Sequence, residues 1–204
     1  SIMRNEDLFE KLNFVDESNI GILCLETGEL PTEETVLWIA EKSQLLAKNI
    51  YILVAPTSSL VGSIQIAARS VETGLHKMLE LGYDISHVQN GFGIAPVPLL
   101  CNHDGVALGR TNDAILYGST VHYNIDDGEN DIKHLCEQIP SLVSKDYGTL
   151  FKDLMIKYDN KFYDIDPLLF SPAEVYLNHK QSGISYKFGQ IRSDLLKKSF
   201  NLED

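Results

Sequence analysis

Gln65, Arg69, Glu72 and His76 follow one another at spacings of four, three and four in the stretch Val61 to Leu81. On a helical wheel of about 100° per residue they fall within one stripe about 60° wide. Ile64, Ala67, Ala68, Val71, Leu75, Met78 and Leu79 fill an arc beside that stripe, and Glu72 is the polar residue nearest to it. A carboxylate placed half in an apolar core and half in a cleft has its pKa raised by burial and lowered by a guanidinium one turn back. That balance suits a general base near neutral pH. The same spacing also makes an i, i+3 salt bridge on a solvated face, worth a few tenths of a kcal/mol, and periodicity leaves both readings open.

A second cluster, Gly109-Arg110-Thr111-Asn112-Asp113, directly precedes the apolar run Ala114 to Tyr117. An amide and a carboxylate can pair with the ring nitrogens and amino groups of a polar heterocycle, and a guanidinium can meet a phosphate or carboxylate. The same residue types also make a turn. Thr57-Ser58-Ser59 follows an apolar strand run. Crevices at the carboxyl ends of parallel strands commonly bind ligands, while these residues are equally suited to capping the next helix.

Other chemistries lack their motifs. Gly91-Phe92-Gly93 has no third glycine, and neither a phosphate loop GxxxxGK[ST] nor a nucleophile elbow GxSxG is present. The six histidines contain no HExxH, so no catalytic metal is expected, and the three cysteines, Cys24, Cys101 and Cys136, form neither a disulfide framework nor a zinc knuckle. Cys24, inside an apolar strand, reads as core. Seventeen Lys and Arg against 29 Asp and Glu give a net charge of −12, which repels nucleic acid and anionic membrane surfaces. The apolar runs fall far short of the ~20 residues of a membrane span, and the opening SIMRNEDLFEKL is too acidic for a signal peptide. A cytoplasmic location is the expectation.

The elements that would position these residues read as α/β. Ile20 to Leu25 and Ile50 to Ala55 are short continuous apolar runs, expected as strands covered on both faces and paired in parallel around a helix that starts at Thr32. A long helix is expected over Val61 to Leu81, ending at Gly82. Asn90 to Pro98, rich in Gly and Pro, suits a loop or edge strand where backbone comes close to something. Ala107 to Ile125 is expected as two strands around Gly118-Ser119, Asp126 to Asp131 as a surface loop, then helices near Asp131 to Ile139 and Thr149 to Tyr158. Ala173 to Asn178 and Ile184 to Phe188 read as a hairpin, followed by an amphipathic helix from Ser193. No linker cleanly separates two domains.

Leu53 to Gly82, GFGIAP (Gly91 to Pro96), GRTNDAILYG (Gly109 to Gly118), FSPAEV (Phe170 to Val175) and YKFG (Tyr186 to Gly189) together resemble the methenyltetrahydromethanopterin cyclohydrolase family, in family order and over nearly the whole chain. The resemblance implies an α/β fold of mixed sheets with helices and a pocket between two α/β domains, a homo-oligomer that is a trimer in the family, and neither metal nor organic cofactor. The implied reaction is hydrolysis of the methenyl bridge of a tetrahydropterin to the 5-formyl derivative, in one-carbon metabolism. The family's catalytic Arg and Glu match Arg69 and Glu72, and the implied pterin-binding residues are Thr57, Ser58, Ser59, Gln65, Arg110, Thr111, Asn112 and Asp113. Family members also carry an N-terminal portion with a motif of the SGPAR kind, of which Arg4 alone has a counterpart here. The expectation is therefore a C-terminal portion of such an enzyme over residues 1–204; a catalytically incomplete pterin-binding or assembly module is the alternative.

Overall fold

The computed structural model of the chain describes residues 17–202. Among these are seven α-helices and two β-sheets, and the chain divides into two units, Ser1–Thr57 and Ser58–Asp204. The boundary falls inside Thr57-Ser58-Ser59, which explains why no linker marks it in the sequence.

In the first unit, β1 (Gly21–Glu26) and β2 (Ile50–Ala55) pair in parallel, from Gly21 opposite Ile50 to Glu26 opposite Ala55. Between them runs α1 (Glu33–Ser43), started as expected by Thr32, whose hydroxyl accepts the N–H of Thr35, with Glu33 and Glu34 in the first turn. The expectation that both faces of this strand pair are covered is corrected. Leu23, Leu25, Ile52 and Val54 are half-buried, but the opposite face leaves Ile22 66%, Tyr51 59% and Leu53 58% exposed. Cys24 lies on the same face and is exposed rather than core. Among the described residues of this unit one helix supplies one layer, and a two-stranded sheet has two faces.

The second unit holds a four-stranded sheet in the order β3 (Val88–Ile94), β4 (Thr120–Ile125), β5 (Glu174–His179), β6 (Ser185–Gly189). β3 runs antiparallel to β4, β4 parallel to β5, and β5 antiparallel to β6. The expected terminal hairpin is β5–β6. One face carries Val121, Tyr123, Ile125, Val175 and Leu177 into a core with Met78, Ile132, Leu135 and Cys136. That core is closed by α3 (Ser70–Glu80), which lies against β3 and β4, and by α5 (Glu129–Gln138), which lies against β5 and β6. The acidic residues Glu129 and Asp131 open α5, so the loop expected over Asp126 to Asp131 is shorter than read: a first helical turn is also a favourable place for carboxylates.

The opposite face of the sheet is laced by two ladders. Phe92, His122 and Tyr176 stack at centroid separations of 4.5 and 4.2 Å, with Lys187 Nζ 5.4 Å from the Tyr176 ring. Beside them Asn124 Nδ2 donates to Asn90 Oδ1, Asn178 Nδ2 to Asn124 Oδ1 and Ser185 Oγ to Asn178 Oδ1. Such cross-strand pairs fix register, because a slip of one residue moves each partner to the wrong face.

Two larger expectations are corrected. The single helix over Val61 to Leu81 is two helices, α2 (Leu60–Ala67) and α3, separated by Ala68 and Arg69. At the break the N–H of Arg69 reaches back three residues to Ile66, and Arg69 has φ −87° and ψ 6°. Neither Ala nor Arg signals a break; the direction of α3 is set by its contact with the sheet. Ala107 to Ile125 is not two strands but α4 (Asp104–Gly118) followed by β4. His103 caps α4 by accepting the N–H of Gly105, and nine residues of the helix are buried. An apolar run buried on all sides reads the same for a helix and a strand. A second core, with Leu116, Tyr117, Phe151, Leu154 and Leu195, joins α4 to α6 (Phe151–Lys157) and α7 (Ser193–Phe200).

Lys77 on α3 is fully buried, and its amine donates to the carbonyl of Leu168. Burial pulls its pKa down from 10.5 to about 8, against the opposing pull of Asp166. The folded state therefore holds fewer protons than the unfolded state between these values, and stability rises with pH across this window. Urea unfolding of the wild type and of Lys77→Met between pH 7.5 and 10.5 should show that rise in the wild type and a flatter profile in the variant; parallel profiles would refute the assignment.

Candidate functional site

The start of α3 carries Arg69 and Glu72, and one hydrogen bond and close approaches at Gly74 and Gly93 set it on the sheet. Tyr123 Oη donates to the carbonyl of Val71 at 2.6 Å. Gly74 lies over the same phenol, and a Cβ there would run into Tyr123 Oη. A Cβ on Gly91 would stand 2.7 Å from the Tyr123 ring, and one on Gly93 would collide with Ser70 Oγ. The glycines of β3 thus let α3 sit close to the strands, which is the close backbone approach their sequence suggested.

Arg69 occupies the N-cap position of α3, where its carbonyl accepts both the N–H and the hydroxyl of Thr73 at 2.8 Å. Glu72 stands in the first turn. Both side chains are exposed, so the expected half-burial of Glu72 is corrected. Among the described residues the ion pairs lie elsewhere, and His76 faces Glu80 at 3.8 Å. Because the helix breaks at Ala68 and Arg69, the four-residue stripe is divided. Gln65 rides on α2, Arg69 sits in the break, and Glu72 and His76 share a face of α3.

Ser59 caps α2, its hydroxyl accepting the N–H of Gly62 at 3.0 Å, and the N–H of Ser58 donates to Asp104 Oδ1 at 2.9 Å. In the first unit Thr57 Oγ1 donates to Glu26 Oε1. The cap expected of this tripeptide is therefore Ser59.

The Arg110 to Asp113 cluster is neither a turn nor a strand start but the middle of α4. α2 lies against α4, so Gln65 and this cluster ride on neighbouring helices. Arg110 is buried and donates from Nη1 to the Leu99 carbonyl at 3.0 Å and from Nε to the Ser199 carbonyl at 3.3 Å. Thr111 and Asn112 bond back to the carbonyl of Leu108. Asp113 accepts the N–H of Phe151 on one oxygen and the hydroxyl of Ser199 on the other. Arg110 and Asp113 thereby tie α4 to α6 and α7. Burial raises the Asp113 carboxyl to about 6 despite those two bonds, which act in the opposite direction. The positioning residues that the sequence did not single out are Tyr123, Ser70 and Gly74; a tyrosine in an alternating strand carries no mark of its partner.

Two outcomes are expected from this geometry. Tyr123→Phe leaves the packing but removes the bond to Val71, costing about 1 kcal/mol, while Gly74→Ala displaces the phenol and costs about 1–3 kcal/mol; both are read from denaturant midpoints, and two neutral variants would refute the anchoring. Asp113 binds its proton more tightly in the folded than in the unfolded state, so its contribution is full below pH 3.8 and lost as pH rises through about 6. Stability differences between wild type and Asp113→Asn should therefore change across that window and level off above it.

The chain matches the family described as Cyclohydrolase (MCH) over residues 1–200. It is 42% identical over 193 residues to a methenyltetrahydromethanopterin cyclohydrolase of Methanocaldococcus jannaschii, covering 94% of this chain and 60% of that protein. It is 43% identical over 202 residues to the protein of the same name from Methanothermobacter thermautotrophicus, covering 98% and 63%. The chain thus spans about three fifths of the length of these curated relatives.

Proposed function

Because the chain belongs to the Cyclohydrolase (MCH) family, we propose that it serves hydrolysis of 5,10-methenyltetrahydromethanopterin to the 5-formyl compound, with Glu72 as the proton-transferring group. The observation that carries this reading is the exposed Arg69 and Glu72 at the start of a helix locked onto the sheet, within a stretch that matches the family.

The bridge carbon of the substrate lies between two nitrogens and carries a delocalised positive charge. It is already electrophilic, so the reaction needs a deprotonated water more than it needs a Lewis acid. Glu72 accepts a proton from that water as its oxygen bonds to the bridge carbon, giving a tetrahedral adduct. The same carboxyl then returns that proton to the arylamine nitrogen as its bond to carbon breaks, the adduct's remaining hydroxyl proton is released to solvent as C–OH becomes the formyl C=O, and the formyl group stays on the other nitrogen. One carboxylate acts first as base and then as acid. Arg69 orients Glu72 and keeps away from the cationic carbon, since like charges repel.

Ser58, Ser59 and Gln65, at the start of α2 and along it, are the proposed pterin contacts. Arg110 and Asp113 act in this reading through the placement of α4, which they bond to α6, α7 and the loop before it; Thr111 and Asn112, bonded to their own helix, ride with it. The reading carries with it a cytoplasmic location, a homo-oligomer of the trimeric kind and no organic cofactor. It also makes the chain the C-terminal portion of a longer enzyme. The alternative is a catalytically incomplete pterin-binding or assembly module.

The absorbance of the methenyl chromophore separates the two. Decay above the buffer rate with the 204-residue chain rejects the incomplete module. In an active form Glu72→Gln should lower turnover by ~10² to 10⁴ with pterin binding retained; full activity would remove Glu72 from the mechanism.

A further inference from the structure

The first unit presents an apolar surface that its own described residues leave bare. On one face of the β1–β2 pair, Ile22 stands beside Tyr51 and Cys24 beside Leu53, and all four are exposed. The face ends at Glu26 beside Ala55. Parallel strands are found almost only with both faces covered, usually by helices, and a two-stranded sheet is marginal unless another layer packs on it. Four large or apolar side chains in adjoining pairs have the composition of an interior rather than of a solvated face.

The curated relatives supply the occupant. The matched stretch accounts for 60% and 63% of their length, so about two fifths of each lies outside it. We propose that the Ile22, Cys24, Tyr51 and Leu53 face seats an amphipathic helical layer formed by the polypeptide that family members carry outside the matched stretch. This rests on the reading of the chain as part of a longer enzyme and names the surface on which the rest docks. A second copy is the poorer occupant. Each chain carries a net charge of −12, so two copies meeting face to face repel one another.

Cys24 is a built-in reporter, since thiol reactivity follows exposure, with Cys136, buried in the second unit, as the control for folding. Iodoacetamide labelling, followed residue by residue by peptide mass, is measured on the 204-residue chain over a range of chain concentrations. It is then repeated with the part of the Methanocaldococcus jannaschii protein outside the match, both joined covalently to this chain and added separately. Cys24 should label fast in the chain alone at every concentration and at least about tenfold more slowly in the joined or mixed protein, while Cys136 stays unlabelled throughout. Leu53→Glu should restore fast labelling of Cys24. Three results would each overturn the proposal: slow labelling in the chain alone at all concentrations, slow labelling that appears only as chain concentration rises, or fast labelling in both the joined and the mixed protein. The methenyl assay on the joined protein is scored separately. Protection without hydrolysis keeps the docking surface and removes the catalytic reading, whereas hydrolysis without protection does the reverse.

Discussion

The second unit is organised around how closely α3 approaches its sheet. Helices ordinarily rest on strands through side chains, but here a phenol from β4 passes beneath the helix to its own backbone, at the carbonyl of Val71. The space for that arrangement comes from residues without side chains, Gly74 above and Gly91 and Gly93 below. Much else follows from this contact. It turns the chain at Ala68 and Arg69, so that α2 leaves toward α4 instead of continuing along the sheet. It also places the first turn of α3, with Glu72, where the side chain is free of the core.

The two charged clusters of the sequence have opposite relations to this frame. Arg69 and Glu72 remain exposed at the start of α3. Arg110 and Asp113 are drawn inward and spend their hydrogen bonds on Leu99, Phe151 and Ser199. Burying a guanidinium and a carboxylate is costly unless each is met by polar partners, and each is met here by groups from α6, α7 or the loop before α4. One cluster thus ties helices together and the other stays at the surface.

How legible this was varied with the physics of each element. Thr32 and the terminal hairpin were readable because caps and tight turns depend on residues adjacent in sequence. The Gly91 and Gly93 pair announced a close approach, but nothing local could say to what. α4 was misread because a helix enclosed by α2, α6 and α7 loses the polar face that would reveal its period. The break at Arg69 was invisible because its cause lies in β3 and β4, and the exposure of Glu72 followed from that break. Arg69 and Glu72 were found by spacing and weighed by family likeness; their environment needed the fold.

The parallel junction between β4 and β5 has a further consequence for how the chain reaches this state. Thr120 pairs with Glu174 and Ile125 with His179, and everything between those strands, α5, α6 and part of the second core, must be spanned before the pairing closes. The ring and amide ladders cross that same junction, so they cannot assemble hairpin by hairpin. Long loops raise the entropy of closure and slow the search. The sheet and the helical core that its crossover contains are therefore kinetically coupled: the strands find their final order only as the intervening helices settle, and the second unit gains its structure in a concerted manner.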